Sequence, residues 1–359
     1  MNKAKKKNIK KVCFIIGGGI GNIITFTPVL KKLNKELPQT QITILGNNIK
    51  VATEILETYP CDIKKIELSP KMSFYGILNI LNDIRKEKFD LMILPSYPFR
   101  HRRAYQSIIK SSLFAVFSGA KYIIGDKRAP LSFLFYNIRI IPKGRNIVEL
   151  NLSILEQLGF TLNKEDAKPE LFFNFVEADK KMNSWIKQYD LTTKKLIVFH
   201  IGSGKGYYNR RWANDKWAEL GDILIDKYKV SISFIGNKLE SMEVQKIQNL
   251  MKQKTFNLAG ELSLCETAKL IKISNLVVCT NSGPMHIAAT LEVPSVVLMG
   301  PTLKEWWPSY SRTSIIVWKN KCNILCEGPC RRKENVCMTS ITVKDVLKVI
   351  ALQLKNKNE

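Results

Sequence analysis

The chain of 359 residues is longer than one ordinary hydrophobic core requires and favours two domains. Its hydrophobic content of 45% is typical of a soluble globular protein, and no stretch approaches the roughly 20 consecutive apolar residues of a membrane-spanning helix. The formal charge of +25, from 56 Lys+Arg against 31 Asp+Glu, predicts an anionic partner such as nucleic acid, a phosphorylated glycan or an anionic membrane surface, with a general abundance of lysine as the plain alternative.

The N-terminal half alternates short apolar strands with amphipathic helices. The basic N-terminus leads into the strand KVCFIIG (11–17) without the apolar segment and cleavage site of a signal peptide, so we expect a cytoplasmic protein. The next segment, 22–37, has apolar residues at helical spacing. Further strands are predicted in QITILGN, FDLMILPSY and AKYIIGDKR, and further helices in VATEILETY and SIIKSSLFAVFSG. This alternation predicts a parallel sheet flanked by helices.

The C-terminal half repeats the alternation, from the strand KLIVFHIGSG and the helix NDKWAELGDILIDKY through to PSVVLMGPT. The polar segment 161–181 has no clear period and is predicted to be the linker. We therefore expect an α/β protein with one Rossmann-like domain over 1–170 and a second over 171–340, facing each other across a cleft. A last helix within 341–359 is expected to pack back toward the first domain.

The glycine run GGGIGNIITFTP (17–28) follows the first strand and suggests a nucleotide-binding loop. The dinucleotide pattern GxGxxG does not fit, because Asn22 and Ile24 stand where its last glycine would be. The second strand also ends in Gly46 and Asn47 instead of an acidic residue, and no P-loop pattern follows. Since open parallel sheets bind ligands at the carboxyl ends of their strands, we expect the glycine-rich and charged segments at those ends to form an active site.

Five motifs of the C-terminal half occur in order: HIGSGKGYYNRRW, FIGNKLE, NLAGELSLCETAKLI, LVVCTNSGPMHIAATLEVPSVVLMGPT and WWP. With GGGIGNIITFTPVLKKL, which is similar to an opening motif, they resemble the heptosyltransferase family, glycosyltransferase family 9. The resemblance implies the GT-B fold and an inverting, metal-independent transfer of a heptose or related sugar. It implies a nucleotide-diphosphate donor such as ADP-heptose, a lipopolysaccharide-core or other envelope glycan as acceptor, and no cofactor.

The partners implied by this resemblance are a nucleotide-sugar and an anionic glycolipid or glycan. The positive charge of the chain would hold the enzyme at the inner face of the cytoplasmic membrane, where lipid-linked acceptors reside. The competing hypothesis is a non-catalytic, basic protein that binds carbohydrate or nucleic acid. Nucleic acid has little support, because the sequence has no module in which aromatic and basic residues interleave.

The second domain is expected to bind the donor. In TNSGPMHIAATL a helix begins at a glycine, and its unpaired N–H groups would face the diphosphate, with contacts from Ser282, Gly283 and His286. The alternative is a simple strand-to-helix turn with a structural histidine. Further donor contacts are predicted for Ser203, Lys205, Asn281 and Thr302.

Two more motifs carry the family's cationic and acidic positions. Arg210 or Arg211 stands where the family places a cation that offsets the charge of the leaving group, although a solvated loop would look the same. Gly236 and Glu240 match a motif in which the acid holds the nucleotide ribose, a role that a carboxylate acceptor suits. A surface Glu at the start of a helix is the ordinary alternative.

The first domain is expected to bind the acceptor. Gly19 and Gly21 would let the opening loop approach it. In PSYPFRHRRAY a cationic patch of Arg100, Arg102 and Arg103 would suit an acceptor that bears phosphate or carboxylate, with a generic basic loop as the alternative.

The chain departs from the family at the residue expected to be the general base. Asn22 stands where the family usually has an aspartate, and an amide cannot accept the proton of the acceptor hydroxyl. Asn281 likewise replaces an aspartate. Asp126 and His101 both follow strand ends and are the candidate substitute bases; otherwise Asn22 orients the acceptor while a phosphate oxygen takes the proton late, or the protein binds without catalysis.

The C-terminal cysteines in KCNILCEGPCRRKENVC have looser spacing than the CxxC pairs of zinc knuckles, so we expect no metal site. A metal held by all four stays the alternative. These cysteines are Cys322, Cys326, Cys330 and Cys337.

Overall fold

A computed structural model describes residues 9–68, 73–95, 102–189, 194–203, 208–300, 302–319, 330 and 335–355, and the side chains of 74, 102–106 and 355 lie outside this description. The chain divides into two compact units between Phe172 and Phe173. The sequence predicted the domain boundary between residues 170 and 171.

The first unit is a six-stranded parallel sheet with helices between the strands. Its strand order is β3-β2-β1-β4-β5-β6, and Val12 pairs with Ile42 on one side and Leu91 on the other. The strands are β1 (Lys11–Ile15), β2 (Gln41–Gly46), β3 (Ile63–Glu67), β4 (Leu91–Ile93), β5 (Tyr122–Asp126) and β6 (Ile138–Ile140). The helices are α1 (Ile20–Glu36), α2 (Ile49–Ile55), α3 (Phe74–Glu87), α4 (Arg102–Phe117), α5 (Ser132–Phe135) and α6 (Ile147–Gln157), followed by a 3₁₀ turn (Lys164–Ala167).

The second unit is built in the same way. Its parallel sheet has the order β12-β11-β10-β7-β8-β9. The strands are β7 (Leu196–His200), β8 (Ser231–Ile235), β9 (Phe256–Asn257), β10 (Leu276–Thr280), β11 (Ser295–Met299) and β12 (Ser314–Trp318). The helices are α7 (Val176–Gln188), α8 (Asn214–Tyr228), α9 (Lys238–Leu250), α10 (Leu264–Ile273), α11 (Gly283–Thr290), α12 (Val336–Thr339) and α13 (Val343–Lys355), with 3₁₀ turns at Tyr208–Arg210 and Lys304–Trp306.

The order of strands in each sheet places a ligand-binding position. In the first unit the chain moves outward from β1 to β3 and then returns to the other side of β1, and in the second unit it does the same around β7. Such a reversal opens a crevice at the carboxyl ends of the two strands on either side of it. These strands are β1 and β4 in the first unit, and β7 and β10 in the second.

The predicted linker is wrong over its last residues, because α7 begins at Val176. Only Ala178 and Met182 of this helix are buried. The apolar residues Ala178, Met182 and Ile186 are spaced for one helical face, but the many charged and polar residues between them made the segment look like a linker.

The last helix, α13, packs within the second unit. Val346, Ile350 and Leu354 lie one helical turn apart and join the core that includes Trp217 of α8. The apolar face of the helix is thus buried in its own unit, and its expected packing toward the first domain stays a prediction. Among the helices described, none is both long and apolar enough to cross a membrane.

Candidate active site

A buried histidine joins the ends of three neighbouring strands in the second unit. His200 is the last residue of β7, which lies between β8 and β10. Its Nδ1 lies 2.9 Å from Oγ of Ser282, after β10, and its Nε2 lies 3.6 Å from Oε2 of Glu240, after β8. The Ser282 hydroxyl donates to the carbonyl of Thr280 at 3.0 Å, so its oxygen is left to accept from Nδ1–H of His200. The three side chains form one connected group at the crevice of this sheet.

Glu240 is held in place by the first turn of α9. Its Oε2 accepts from the backbone N–H of Asn237 at 2.9 Å, while the Asn237 side chain caps the helix in return. Burial alone would raise the pKa of Glu240, but His200, the Asn237 N–H and the charge of Arg211 outweigh it and lower that pKa. The carboxylate is therefore ionised at neutral pH, although it is buried.

Two glycines make room for this carboxylate. A Cβ at Gly202 would lie 1.6 Å from Oε1 of Glu240, and a Cβ at Gly236 would lie 2.6 Å from Oε2. Any larger residue at Gly202 would push the carboxylate out of its position. The structure thus brings Gly236 and Glu240 together, and it adds Gly202, which the sequence did not single out.

Helix α11 begins directly beside His200. Ser282 is its N-cap residue but makes no capping hydrogen bond to the helix, because its hydroxyl is engaged with Thr280 and His200. The N–H groups of Gly283 and Met285 in the first turn are the usual donors for an anion at such a position, whereas Pro284 has no N–H to donate. Asn281 is buried and donates from Nδ2 to Oγ1 of Thr302 at 2.8 Å. Two of the residues predicted to bind the nucleotide-sugar are thus hydrogen-bonded to each other.

His286 lies buried in the body of α11. Its Nδ1 lies 2.8 Å from the hydroxyl of Tyr310, and the two rings stack with an interplanar angle of 11°. Burial lowers the pKa of His286 to about 4. The imidazole is therefore neutral at physiological pH, and any contact that it makes with a diphosphate is that of a neutral hydrogen-bond donor.

The predicted arginines begin the segment before α8. Arg210 ends the 3₁₀ turn and is half-buried, and the guanidinium of Arg211 lies 4.8 Å from the ring centre of Tyr208. Within the described part of the chain, the buried Nε of Arg211 has no hydrogen-bond partner. Ser203 is buried directly after the glycine beside Glu240, whereas Lys205 lies outside the described residues.

In the first unit the glycine run packs closely on the end of β2. A Cβ at Gly18 would lie 1.5 Å from the backbone oxygen of Asn47, and the Gly18 N–H donates to Oδ1 of Asn47 at 2.9 Å. Gly19 is the N-cap of α1, and Gly21 and Asn22 lie in its first turn. The loop therefore covers the carboxyl ends of β1 and β2, with the partly buried Asn22 facing back toward it.

The Asn22 amide turns toward the start of its own loop. A Cβ at Gly17 would lie 2.7 Å from Nδ2 of Asn22, and one at Gly19 would lie 3.5 Å from the same atom. The side chain of Asn22 thus lies over the glycines of the run at the amino end of α1. An amide here can donate and accept hydrogen bonds but cannot take up a proton.

Asp126 is engaged by a neighbouring arginine. At the end of β5 it is buried, and Arg128 contacts both of its oxygens, from Nε to Oδ1 at 2.9 Å and from Nη2 to Oδ2 at 2.7 Å. The backbone N–H of Arg128 adds a further bond at 2.9 Å. This hydrogen bonding to Asp126 also raises the pKa of Arg128.

The remaining predicted residues are only partly within the described chain. Arg102 and Arg103 are the first residues of α4, but their side chains are not described. Cys330 is half-buried and Cys337 is buried, and no group of His, Cys, Asp and Glu within the described residues could hold a metal ion. Four predictions fall wholly outside: Arg100, His101, Cys322 and Cys326.

Sequence reasoning missed His200 and Tyr310. The sequence does contain a signal for His200, because the histidine ends a predicted apolar strand two residues before Gly202, at a carboxyl end of the predicted sheet. Tyr310 lies in an irregular segment after the last 3₁₀ turn, and its contact with His286 is set by tertiary structure alone.

Two units of this construction, each with polar residues at the crevice of a parallel sheet, are those of the GT-B fold class. A family model described as glycosyltransferase family 9 (heptosyltransferase) matches residues 101–337. The chain belongs to this family. Of the two hypotheses from the sequence, the family supports the glycosyltransferase and not the non-catalytic binding protein.

Known relatives agree with this assignment. The chain is 26% identical over 294 residues to the lipopolysaccharide core heptosyltransferase OpsX of Haemophilus influenzae, covering 80% of this chain and 78% of the relative. A solved glycosyltransferase of family 9 from Veillonella parvula is similar with a TM-score of 0.74 and 23% identity, covering 97% of each chain. The Escherichia coli ADP-heptose lps heptosyltransferase II is similar with a TM-score of 0.72 and 21% identity, covering 97% of this chain and 100% of that one.

Proposed function

We propose that this glycosyltransferase transfers heptose from ADP-heptose to a lipopolysaccharide-core acceptor, with inversion at the anomeric carbon and without a metal ion. Two relatives support this choice: one is a lipopolysaccharide core heptosyltransferase, and the other an ADP-heptose lps heptosyltransferase. We place the enzyme in the cytoplasm, where it meets its acceptor at the membrane surface. The second unit binds the donor and the first binds the acceptor.

The observation that carries the proposal is the group formed by His200, Glu240 and Ser282. It lies at the crevice of the second sheet, where a nucleotide would be expected in an open α/β fold. The ionised Glu240 accepts hydrogen bonds from the ribose hydroxyls, and the start of α11 donates to the diphosphate. His200 touches both elements and fixes the distance between the ribose and diphosphate contacts.

Charge on the leaving ADP is stabilised by donors that are already in place. As the bond between the sugar and the diphosphate breaks, negative charge develops on the phosphate oxygens. Arg211 has a buried Nε without a partner in the described chain. The first-turn N–H groups of α11, which have no partner within the helix, lie at the same end of the sheet. A cation and a helix N-terminus can together take over the role that a metal ion serves in other transferases.

For the general base we favour His101 over Asp126. Both oxygens of Asp126 accept hydrogen bonds from Arg128, so this carboxylate is already engaged before an acceptor hydroxyl arrives. His101 follows the end of a first-unit strand and is the other candidate. Asn22 has the chemistry to orient the acceptor hydroxyl through hydrogen bonds while another group removes the proton.

The experiment is a transfer assay with ADP-heptose and a lipopolysaccharide-core acceptor, with and without a chelator. We expect a heptosylated product seen by mass spectrometry, an inverted anomeric configuration by NMR, and the same rate with the chelator. A loss of activity on chelation would contradict metal independence. Failure to transfer or hydrolyse any sugar across a panel of nucleotide-sugars, despite ADP binding, would contradict the proposed reaction.

A further inference from the structure

Several large apolar side chains of the first unit point into solvent around the short helix α5. Phe133 is 66% exposed and Leu134 63% exposed, and Leu131 just before them is also exposed. Leu131 has φ of 55°, in the left-handed region that a leucine rarely adopts. The fold thus accepts some backbone strain at the residue that starts this apolar projection.

The projection is held firmly by buried hydrogen bonds. Ser132 is buried and donates from Oγ to the carbonyl of Lys127 at 2.8 Å. Tyr136, directly after α5, is buried with its hydroxyl 2.7 Å from Oγ of Ser112 on α4. The exposed side chains of Phe133 and Leu134 therefore lie on a backbone segment that is anchored by hydrogen bonds on both sides.

Helix α4 extends the apolar surface. It packs against α5, and three of its residues spaced for one helical face are exposed. We define the apolar-basic surface by the exposed apolar residues of both helices: Leu113, Val116, Phe117, Leu131, Phe133 and Leu134.

The charges on the segment that carries this surface are almost all positive. The sequence from residue 107 to 145 holds seven Lys and Arg against a single acidic residue, Asp126. Asp126 is buried and paired with Arg128, so it presents no negative charge to solvent. The lysines at 110, 121, 127 and 143 and the arginines at 139 and 145 are exposed.

We propose that the apolar-basic surface docks on an anionic lipid bilayer, with Phe133 and Leu134 inserted below the headgroups. Exposed apolar side chains surrounded by basic ones are the pattern of interfacial membrane binding. A second copy of the chain would not fit, because a symmetric contact through this surface would bring positive charges together. The proposal adds a docking site to the proposed function, which places the acceptor in a membrane.

An exposed apolar pair in the second unit provides a matched control. Leu239 is 85% exposed and Met242 75% exposed, so their apolar exposure exceeds that of Phe133 and Leu134. The charges beside them are mixed, because Glu243 pairs with Lys246 at 3.2 Å on the same helix. If exposed apolar area alone caused membrane binding, this pair would contribute as well.

The test is flotation of the purified full chain with vesicles, without donor or acceptor. One set of vesicles contains phosphatidylethanolamine with phosphatidylglycerol, and the other phosphatidylcholine alone. We expect binding to the anionic vesicles only, with a decrease at high salt. Phe133→Ser with Leu134→Ser should weaken binding roughly tenfold or more, because two apolar side chains no longer enter the bilayer. Lys127→Gln with Arg139→Gln should weaken it by roughly fivefold per charge removed.

The control variant Leu239→Ser with Met242→Ser should bind within about twofold of the wild type, since its surroundings lack the positive charge that brings a surface to the membrane. Equal loss in this variant, or no loss when Phe133 and Leu134 are changed, would overturn the proposal. So would a dimer in solution that the Phe133 and Leu134 changes dissociate. ADP binding, measured separately, should be unchanged in the two variants of the first unit; its absence from all proteins would count against the proposed function and leave the membrane result intact.

Discussion

The position of Gly202 beside Glu240 leads to a sharp prediction about the donor site. In Gly202→Ala the new Cβ would lie 1.6 Å from Oε1, 2.3 Å from Cδ and 2.8 Å from Oε2 of Glu240. All three nearest heavy atoms belong to this one side chain. Because the carboxylate is buried, it must leave its position before the alanine can fit.

The cost follows from the contacts that the carboxylate would lose. It would give up the hydrogen bond from the Asn237 N–H at 2.9 Å and its contact with His200 at 3.6 Å. A hydrogen bond to a charged group contributes about 1.5–3 kcal/mol, so we expect a loss of about 2–3 kcal/mol in the free energy of unfolding. For a unit of this size that corresponds to a decrease of roughly 5–10 °C in Tm.

A double-mutant cycle tests the cause directly. Chemical denaturation of the wild type, Gly202→Ala, Glu240→Ala and the double variant gives the coupling between the two positions. Once Glu240→Ala has removed the carboxylate, the alanine at position 202 meets no obstacle, and we expect it to cost less than about 0.5 kcal/mol. The coupling should therefore be about 2 kcal/mol, and calorimetry should show that Gly202→Ala alone weakens ADP binding roughly tenfold or more.

Gly221→Ala is the matched control. Its Cβ would meet the terminal methyl of Met251 at 2.5 Å, which is the flexible end of a long side chain. We expect a change within about 1 kcal/mol, because Met251 can move and alanine favours the helix. Strictly additive effects of Gly202→Ala and Glu240→Ala would refute the assigned clash, and so would an equally large loss in Gly221→Ala.

Three further predictions concern charge. Glu240→Gln keeps the shape of the side chain but removes its charge, so calorimetry should show roughly tenfold weaker ADP binding, whereas Glu243→Gln on the same helix stays within about threefold. Burial lowers the pKa of His286 from 6.5 to about 4, so as the pH falls the unfolded chain takes up a proton before the folded chain does. The free energy of unfolding should therefore decrease between pH 6.5 and pH 4, by up to ~3 kcal/mol as measured by urea unfolding. The decrease should be smaller in His286→Gln, and an equal decrease in both proteins would contradict the prediction. Asp126→Asn leaves the guanidinium of Arg128 without its ionised partner. Because the Arg128 side chain is half exposed, we expect the free energy of unfolding to fall by only about 1–2 kcal/mol, and the transfer rate to stay within roughly tenfold of the wild type. A hundredfold slower rate would identify Asp126 as the base.

The sequence by itself determined the fold class and the family. Short continuous apolar runs that alternate with amphipathic helices specify parallel sheets, because such strands are buried on both faces and both patterns are local properties of the chain. The motifs around Glu240 and Ser282 identified the donor-side segments, and the carboxyl-end rule placed them at one edge of a sheet. The replacement of an expected aspartate by Asn22 was also visible from the residue alone, since it concerns only what an amide can do.

Tertiary structure decided which of these residues contact each other. His200 lies far along the chain from Ser282 and 40 positions before Glu240, and only the order of β8, β7 and β10 brings the three together. The pairing of Asp126 with Arg128, which counts against a catalytic role, depends on side-chain rotamers that no sequence pattern encodes. Helix α7 is a different case, because its apolar residues Ala178, Met182 and Ile186 have helical spacing, and the predicted linker nevertheless extended to residue 181.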